Sequence, residues 1–121
     1  MAVLAMPLKA SAFGVLSTFG KSGAGPGQTS FASGMAIAPN GYLYVADLFA
    51  YRVAVFAPDG TFVRAFGKGV NPGGGDVCTT ATGCVQGSYV ASAGGLWFPI
   101  DIALDASGLV YVENLENNRI D

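Results

Sequence analysis

The strongest constraint on this chain is an internal repeat. Phe19-Gly20-Lys21 returns as Phe66-Gly67-Lys68, and Gly41-Tyr42-Leu43-Tyr44-Val45 returns as Gly108-Leu109-Val110-Tyr111-Val112. The two copies of the Gly41 motif lie further apart in the sequence than the two copies of the Phe19 motif. We call the shift from Gly41 to Gly108 the long offset. At the long offset, identical residues stand opposite Phe31, Ala36, Gly41, Tyr44, Val45, Leu48 and Arg52. Repeated units bury their apolar faces against each other, so we expect most recurring positions to be architectural.

The shorter spacing, from Phe19 to Phe66, falls in a range that includes both propeller blades and helical repeats, and the residue types favour strands. Short runs rich in β-branched and aromatic residues lie at 35–38, 43–46, 52–56 and 61–66. Asn40-Gly41 and Asp59-Gly60 are typical of tight hairpin turns, and residues 48–51 form a longer middle connection. Four antiparallel strands followed by a glycine-rich link are typical of one propeller blade.

These residues resemble the NHL-repeat signature. The resemblance rests on Gly41-Tyr42-Leu43-Tyr44-Val45-Ala46-Asp47, on Tyr51-Arg52-Val53, and on the hairpin at residues 55–62. A second match runs from Gly108 to Ile120, so the resemblance covers residues 31–67 and 98–121. It departs from the family pattern at two places, which are Glu113-Asn114 opposite Ala46-Asp47 and Phe49-Ala50-Tyr51 in place of a polar link.

The resemblance implies an all-β fold, a partial and open β-propeller with blades of four antiparallel strands. Residues 1–30 are then the end of a preceding blade, with an outer strand at 15–19, plus a glycine-rich link. Residues 31–67 are a complete blade, residues 68–97 a cysteine-containing inserted loop, and residues 98–121 the truncated start of the next blade. Closure takes at least about four blades. We therefore expect a fragment whose open faces are covered by remaining blades, or alternatively by self-association.

The amino-acid composition limits the classes of partner that we expect this chain to bind. The chain is 51% hydrophobic and 12% charged, with a net charge of −2. Its cations do not form a run interleaved with aromatic residues; they are Lys9, Lys21, Arg52, Arg64, Lys68 and Arg119. Nucleic acid is therefore an unexpected partner. No stretch has the ~18 consecutive apolar residues of a membrane span.

Cys78 and Cys84 are the only cysteines, and both lie in the longer connection. The short stretch between them leaves room for a disulfide-closed loop, with Gly83 helping the chain to turn back. Free thiols and a metal site are the alternatives, although the chain has no His and no Cys-x-x-Cys pair. A disulfide implies an oxidising compartment. The insert also resembles those of secreted NHL proteins, which implies an extracellular or cell-surface location.

The absence of histidine limits the chemistry of this segment. Neither a Ser-His nor a Cys-His nucleophile can form, and imidazole-ligated metals are excluded. The glycines at the ends of the stretch from Gly14 to Gly20 are one position too far apart for a phosphate-binding loop. We expect no catalytic, metal or cofactor-binding residue here and no enzyme activity of this segment.

Asp47 and Arg52 are the most prominent polar pair, at the facing ends of two adjacent predicted strands. We expect a charge-assisted hydrogen bond between them, which makes a structural polar lock. Arg119 repeats Arg52 and takes Asn114 or Glu113 as its partner.

The loop between residues 68 and 96 is long for a compact domain, and long loops are commonly functional or mobile. Its candidate ligand-contact residues, with the adjoining tryptophan, are Asn71, Thr79, Thr80, Gln86, Tyr89 and Trp97. The other interpretation is that this segment is simply a solvated surface loop held together by a disulfide. We expect a binding or scaffold module of a secreted or cell-surface protein, whose loops recognise a protein, glycan or small ligand. A propeller lyase or hydrolase with catalytic residues in blades outside this segment is the alternative.

Overall fold

A computed structural model describes residues 17–121, and this part of the chain is built mainly from two antiparallel β-sheets, preceded by a short parallel pair. Ten strands occur in it: β1 Lys21–Ser22, β2 Gln28–Thr29, β3 Ala32–Ile37, β4 Leu43–Asp47, β5 Arg52–Phe56, β6 Phe62–Phe66, β7 Val77–Cys78, β8 Pro99–Leu104, β9 Val110–Asn114 and β10 Arg119–Ile120. The expected all-β class is confirmed. The predicted strand at residues 15–19 begins outside the described residues, and residues 17–19 are not in a strand.

The first sheet is an antiparallel meander of β3, β4, β5, β6 and β7 in chain order. Gly41 and Gly60 have φ angles of 87° and 88°, which are accessible to glycine at little steric cost and which the hairpins after β3 and β5 require. The four predicted strands of this unit coincide with β3 to β6 apart from small shifts of their ends. The longer β4–β5 connection is completed by Tyr51, whose φ of 53° is unusual for a non-glycine residue.

The second sheet repeats this arrangement with β8, β9 and β10, again antiparallel and in chain order. A short 3-10 helix, Leu115–Asn117, joins β9 to β10, and Asn118 after it has a φ of 51°. Asn118 is the counterpart of Tyr51 at the long offset, so the two connections turn in the same way. This short helix is the only helix in residues 17–121, and that part of the chain contains no helix able to cross a membrane.

The two antiparallel sheets pack face to face. We call the face of the first sheet that carries Tyr44, Ala46, Val53 and Val55 its front; these side chains contact Ile102 and Val112 of the second sheet, and Leu96 completes the buried core. The first strands of the two sheets lie side by side, and the Ser33 hydroxyl of β3 donates a hydrogen bond of 2.8 Å to the Pro99 carbonyl oxygen of β8.

The opposite face of the first sheet, its back, carries Val45, Ala54, Phe56 and Ala65. The cysteine-containing loop covers part of this face, with Val70 and Cys84 packed beside Cys78. Phe19 covers another part, because its ring centroid lies 5.2 Å from that of Phe56. The back is therefore buried along β4, β5 and β6, and its exposed part is Met35 and Ile37 of β3.

Candidate functional site

Asp47 and Arg52 are opposite each other in the β4–β5 register and are both fully buried. The expected hydrogen bond between them is not formed, because Arg52 Nε lies 3.8 Å from Asp47 Oδ2, and Nε has no hydrogen-bond partner among residues 17–121. The carboxylate instead accepts hydrogen bonds from the backbone N–H groups of Ser30 and Phe31, at 2.9 to 3.0 Å. The two residues therefore form an ion pair in which each member also binds backbone groups.

The guanidinium group of Arg52 donates to four backbone carbonyl oxygens, those of Ala24, Gly25, Gln28 and Val85. Burial lowers the pKa of Arg52 below its ordinary value, and the negative charge of Asp47 opposes that change. One side chain thereby ties β5 to the glycine-rich link before the first sheet and to the inserted loop.

Arg119 makes equivalent contacts in the second sheet. It donates to the carbonyl oxygens of Ala91, Ser92 and Gly95, which are the counterparts of Ala24, Gly25 and Gln28 at the long offset. Asn114 lies opposite Arg119 in the β9–β10 register, but the Arg119 side chain binds the side chain of Asp121 rather than Asn114 or Glu113, the two expected partners. Its ion pair is with Asp121, at 2.6 Å between Nε and Oδ1, because Asn114 carries no charge.

Asn114 takes the place of Asp47 and is also fully buried. Its Oδ1 accepts from the Trp97 N–H at 2.8 Å, just as Asp47 accepts from Ser30, the counterpart of Trp97. Residues 91–97 therefore occupy positions equivalent to 24–30. The added part of the longer connection consequently lies between Lys68 and Ala91, inside the predicted insertion at 68–97.

Cys78 and Cys84 form a disulfide, which was the first of the three predicted alternatives, before free thiols and a metal site. Within the loop that it closes, Thr79 and Thr82 hydrogen-bond each other, and Thr80 lies in the same turn. The Asn71 side chain binds the Gly73 N–H and the Val77 carbonyl oxygen. The side chains of Asn71 and Thr79 thus hold the loop's own shape.

The other three candidate residues, Gln86, Tyr89 and Trp97, lie in or beside a chain of aromatic rings that we call the aromatic cluster. Its members are Phe31, Phe49, Tyr51, Tyr89, Trp97 and Phe98. The ring centroids follow one another at 5.1 to 5.9 Å, in tilted and edge-to-face pairs, which are favourable geometries for aromatic groups. Four separate segments of the chain meet here.

Backbone contacts hold the inserted loop against the β4–β5 connection at this cluster. The Gln86 side chain donates to the Phe49 carbonyl oxygen at 2.9 Å, and the Gly87 N–H donates to the Ala50 carbonyl oxygen at 2.8 Å. A Cβ atom at Gly87 would collide with the Tyr51 carbonyl oxygen, so this close approach requires glycine. The loop therefore places Tyr89 against Tyr51 by a defined fit.

The aromatic cluster is open to solvent. Phe31, Phe49 and Tyr89 are each about half exposed or more, at 53%, 48% and 57%. The hydroxyl groups of Tyr51 and Tyr89 and the indole N–H of Trp97 make no hydrogen bond to another residue within 17–121. Phe98 adopts a φ of 57°, a conformation that costs of order 1–3 kcal/mol for a residue of this kind. Strained backbone beside exposed rings with free polar groups is typical of a binding surface.

Sequence reasoning identified Tyr89, Trp97 and Gln86 but missed Phe31, Phe49, Tyr51 and Phe98 as members of this surface. A signal for two of them was present, because Phe49-Ala50-Tyr51 stands where the resembling repeat has a polar link. Phe31 and Phe98 recur at the long offset, which made them look architectural.

A small cavity lies between the sheets, lined by the apolar residues Phe66, Leu96, Val110 and Val112 together with Asp76 and Asp121. Its volume is about 230 Å³, below the ~300 Å³ at which ligand pockets usually begin. The aromatic cluster is therefore the stronger candidate.

Comparison with known proteins adds no assignment. No protein-family model matches the chain, and no curated protein matches its sequence at a significant level.

Proposed function

We propose that this chain is an NHL-type propeller segment that acts as a binding module, and that the aromatic cluster is its recognition surface. The observation that carries the proposal is the run of neighbouring rings, half of them strongly exposed. Two antiparallel meanders packed face to face, with equivalent polar contacts at the long offset, support the propeller part.

A glycan is the ligand class that this surface suits best. A sugar ring offers an apolar C–H face that can lie on Tyr89 or Phe49, and hydroxyl groups around its edge. Tyr51, Tyr89 and Trp97 supply hydroxyl and N–H groups at their polar ends for those hydroxyl groups. The disulfide Cys78–Cys84 is compatible with a secreted or cell-surface protein, where glycans are abundant.

Trp97 is the single tryptophan of the chain, so its fluorescence reports directly on the cluster. We expect defined oligosaccharides, titrated one by one, to shift Trp97 emission saturably. Tyr89→Ala should weaken that binding about fivefold or more, because loss of one important ring typically costs at least ~1 kcal/mol. Tyr111→Ala is the matched control, since Tyr111 is also exposed but lies outside the cluster.

The glycan assignment fails if no oligosaccharide perturbs Trp97 emission, and the assignment of the recognition surface fails if the Tyr111 variant loses binding as strongly as the Tyr89 variant. Saturable binding of a peptide at the same residues, without any response to sugars, would keep the surface and reject the glycan.

A further inference from the structure

Two strand connections beside the aromatic cluster are counterparts in the repeat, and they carry different kinds of side chain. The β4–β5 connection supplies Phe49 and Tyr51, whereas the β9–β10 connection has Glu116 and Asn118 at the equivalent positions of the long offset. Both connections end in the same backbone conformation, because Tyr51 and Asn118 have φ angles of 53° and 51°. The second connection therefore has a carboxylate residue where the first has an aromatic ring.

Glu116 adjoins the aromatic cluster. Its backbone N–H donates to the Trp97 carbonyl oxygen at 3.2 Å, and the N–H of the preceding Leu115 donates to the Phe98 carbonyl oxygen at 3.2 Å. Glu116 is exposed, and its carboxylate makes no ion pair or hydrogen bond with another residue of the described range 17–121. An exposed and unpaired glutamate thus borders the exposed rings.

The charges of the segments around the cluster favour a basic ligand over an acidic one. Residues 98–121 contain five carboxylates and a single cation, Arg119, whose guanidinium group pairs with Asp121 at 2.6 Å. At the start of the inserted loop, the ammonium group of Lys68 pairs with Asp76 at 3.6 Å. The two cations of these segments are therefore already paired, whereas the carboxylate beside Trp97 is not.

Three rings of the cluster suit a positively charged group. Tyr51, Tyr89 and Trp97 follow one another with centroid distances of 5.1 and 5.7 Å, and each pair is tilted by 51°. The face of an aromatic ring attracts a cation through its quadrupole, most strongly for tryptophan. A carboxylate alongside adds direct coulombic attraction for the same charge. The rings and Glu116 thus favour the same kind of ligand group.

We propose that the glycan recognised by the aromatic cluster carries free amino groups, and that Glu116 determines this specificity. The inference rests on the proposed function, because it names the kind of sugar that the same surface takes. An amino sugar has its ammonium group at the edge of the sugar ring. Its C–H face therefore lies on one aromatic ring while the ammonium group meets a neighbouring ring and Glu116. Acetylation of the amine removes the charge, so the acetylated sugar loses this contribution.

Oligomers of glucosamine and of N-acetylglucosamine test the proposal, because they differ only at the amino group. Each is titrated into the full chain at about pH 6, where amino sugars and exposed carboxylates are charged, and Trp97 emission is followed. We expect the amino series to bind about fivefold or more tightly than the acetylated series.

Glu116→Gln keeps the size of the side chain and removes its charge. It should weaken binding of the amino series about twofold to fivefold and leave the acetylated series unchanged. Glu113→Gln is the matched control, because Glu113 is also exposed but lies opposite Asp101 and Ile120 in the second sheet, outside the cluster. This control should change neither series.

Equal or tighter binding of the acetylated series would overturn the proposal, and so would a Glu116→Gln variant that keeps the full preference for amino sugars. A lysine tripeptide, titrated in parallel, shows whether charge alone is recognised, and binding as tight as that of a glucosamine trimer would reject the amino sugar. In the first two cases, sugar binding that is still weakened by Tyr89→Ala leaves the proposed function standing. No response of Trp97 to any sugar would reject both.

Discussion

Gly34 of β3 lies directly against the backbone of Asp101 in β8, so close that a Cβ atom at Gly34 would be 2.6 Å from the Asp101 Cα atom. No side chain larger than hydrogen fits between these strands. This approach brings the first strands of the two sheets together, and the buried contact of Tyr44 and Val53 with Ile102 and Val112 follows from it.

The first prediction concerns this approach. Gly34→Ala should destabilise the protein by about 1–3 kcal/mol, because the added methyl group meets backbone that cannot move aside without separating the sheets. Urea unfolding followed by circular dichroism measures the loss. Gly75→Ala is the matched control, since its Cβ would make only ordinary contact with Asn71, and it should change stability little. Equal effects of the two substitutions would contradict the assigned packing.

The second prediction separates the two arginines. Arg52→Met should cost about 3 kcal/mol or more, because it leaves the buried Asp47 carboxylate without its countercharge and releases four carbonyl oxygens. Arg119→Met, the same substitution at the equivalent position, should cost about 1 kcal/mol, because Arg119 is partly exposed and its buried neighbour Asn114 is neutral. The free energies of unfolding of both variants decide the matter, and a larger loss for Arg119→Met would refute the argument.

The third prediction concerns the disulfide. Replacing Cys78 and Cys84 together by alanine should lower the free energy of unfolding by about 2 kcal/mol in the chain-entropy estimate for so short a loop. A reducing agent should destabilise the wild type by a similar amount and leave the double variant unchanged. Mass spectrometry of the alkylated, non-reduced protein provides the control. If both cysteines react freely with the alkylating agent, the disulfide assignment is wrong.

The fourth prediction concerns pH. The Ser107 hydroxyl and the backbone N–H groups of Ser107 and Leu109 donate to the Asp105 carboxylate and lower the pKa of Asp105. Since the pKa is lower in the folded chain, this carboxylate stabilises the fold above the unfolded pKa of about 4. That contribution is lost as the pH falls through the folded value. The melting temperature of the wild type should therefore exceed that of Asp105→Asn above about pH 4, and the difference should shrink as the solution is acidified further. A difference that stays constant with pH would argue against this origin.

The local parts of this fold could be predicted from the sequence because their causes are local. Alternating apolar residues and the Asn40-Gly41 and Asp59-Gly60 turns specify antiparallel hairpins within a few residues of chain. The disulfide between Cys78 and Cys84 also has a local cause, because the two residues are close together in the sequence. The sequence therefore predicted it as one of three alternatives. The long offset also predicts that Arg119 is the counterpart of Arg52, because both residues are visible in the sequence alone.

The hydrogen-bond acceptors of Arg52 and Arg119 could not be predicted from the sequence. Arg52 binds backbone carbonyl oxygens, which every residue possesses. The residue types at positions 24 and 25 therefore do not indicate that Ala24 and Gly25 bind Arg52. The sequence accordingly suggested a direct hydrogen bond to Asp47, and only the packing of the glycine-rich link showed why that bond is not made.

By itself, then, the sequence determined the repeating unit, its strands and its turns, because those depend on residues close together along the chain. Only the tertiary structure decided which rings form the aromatic cluster, because Phe31, Tyr51 and Tyr89 come from distant segments that meet through the fit at Gly87. It likewise decided that Ile102 is buried while its counterpart Met35 is open. Equivalent residues of a repeat differ in burial because burial depends on what lies across the sheet, which no local pattern records.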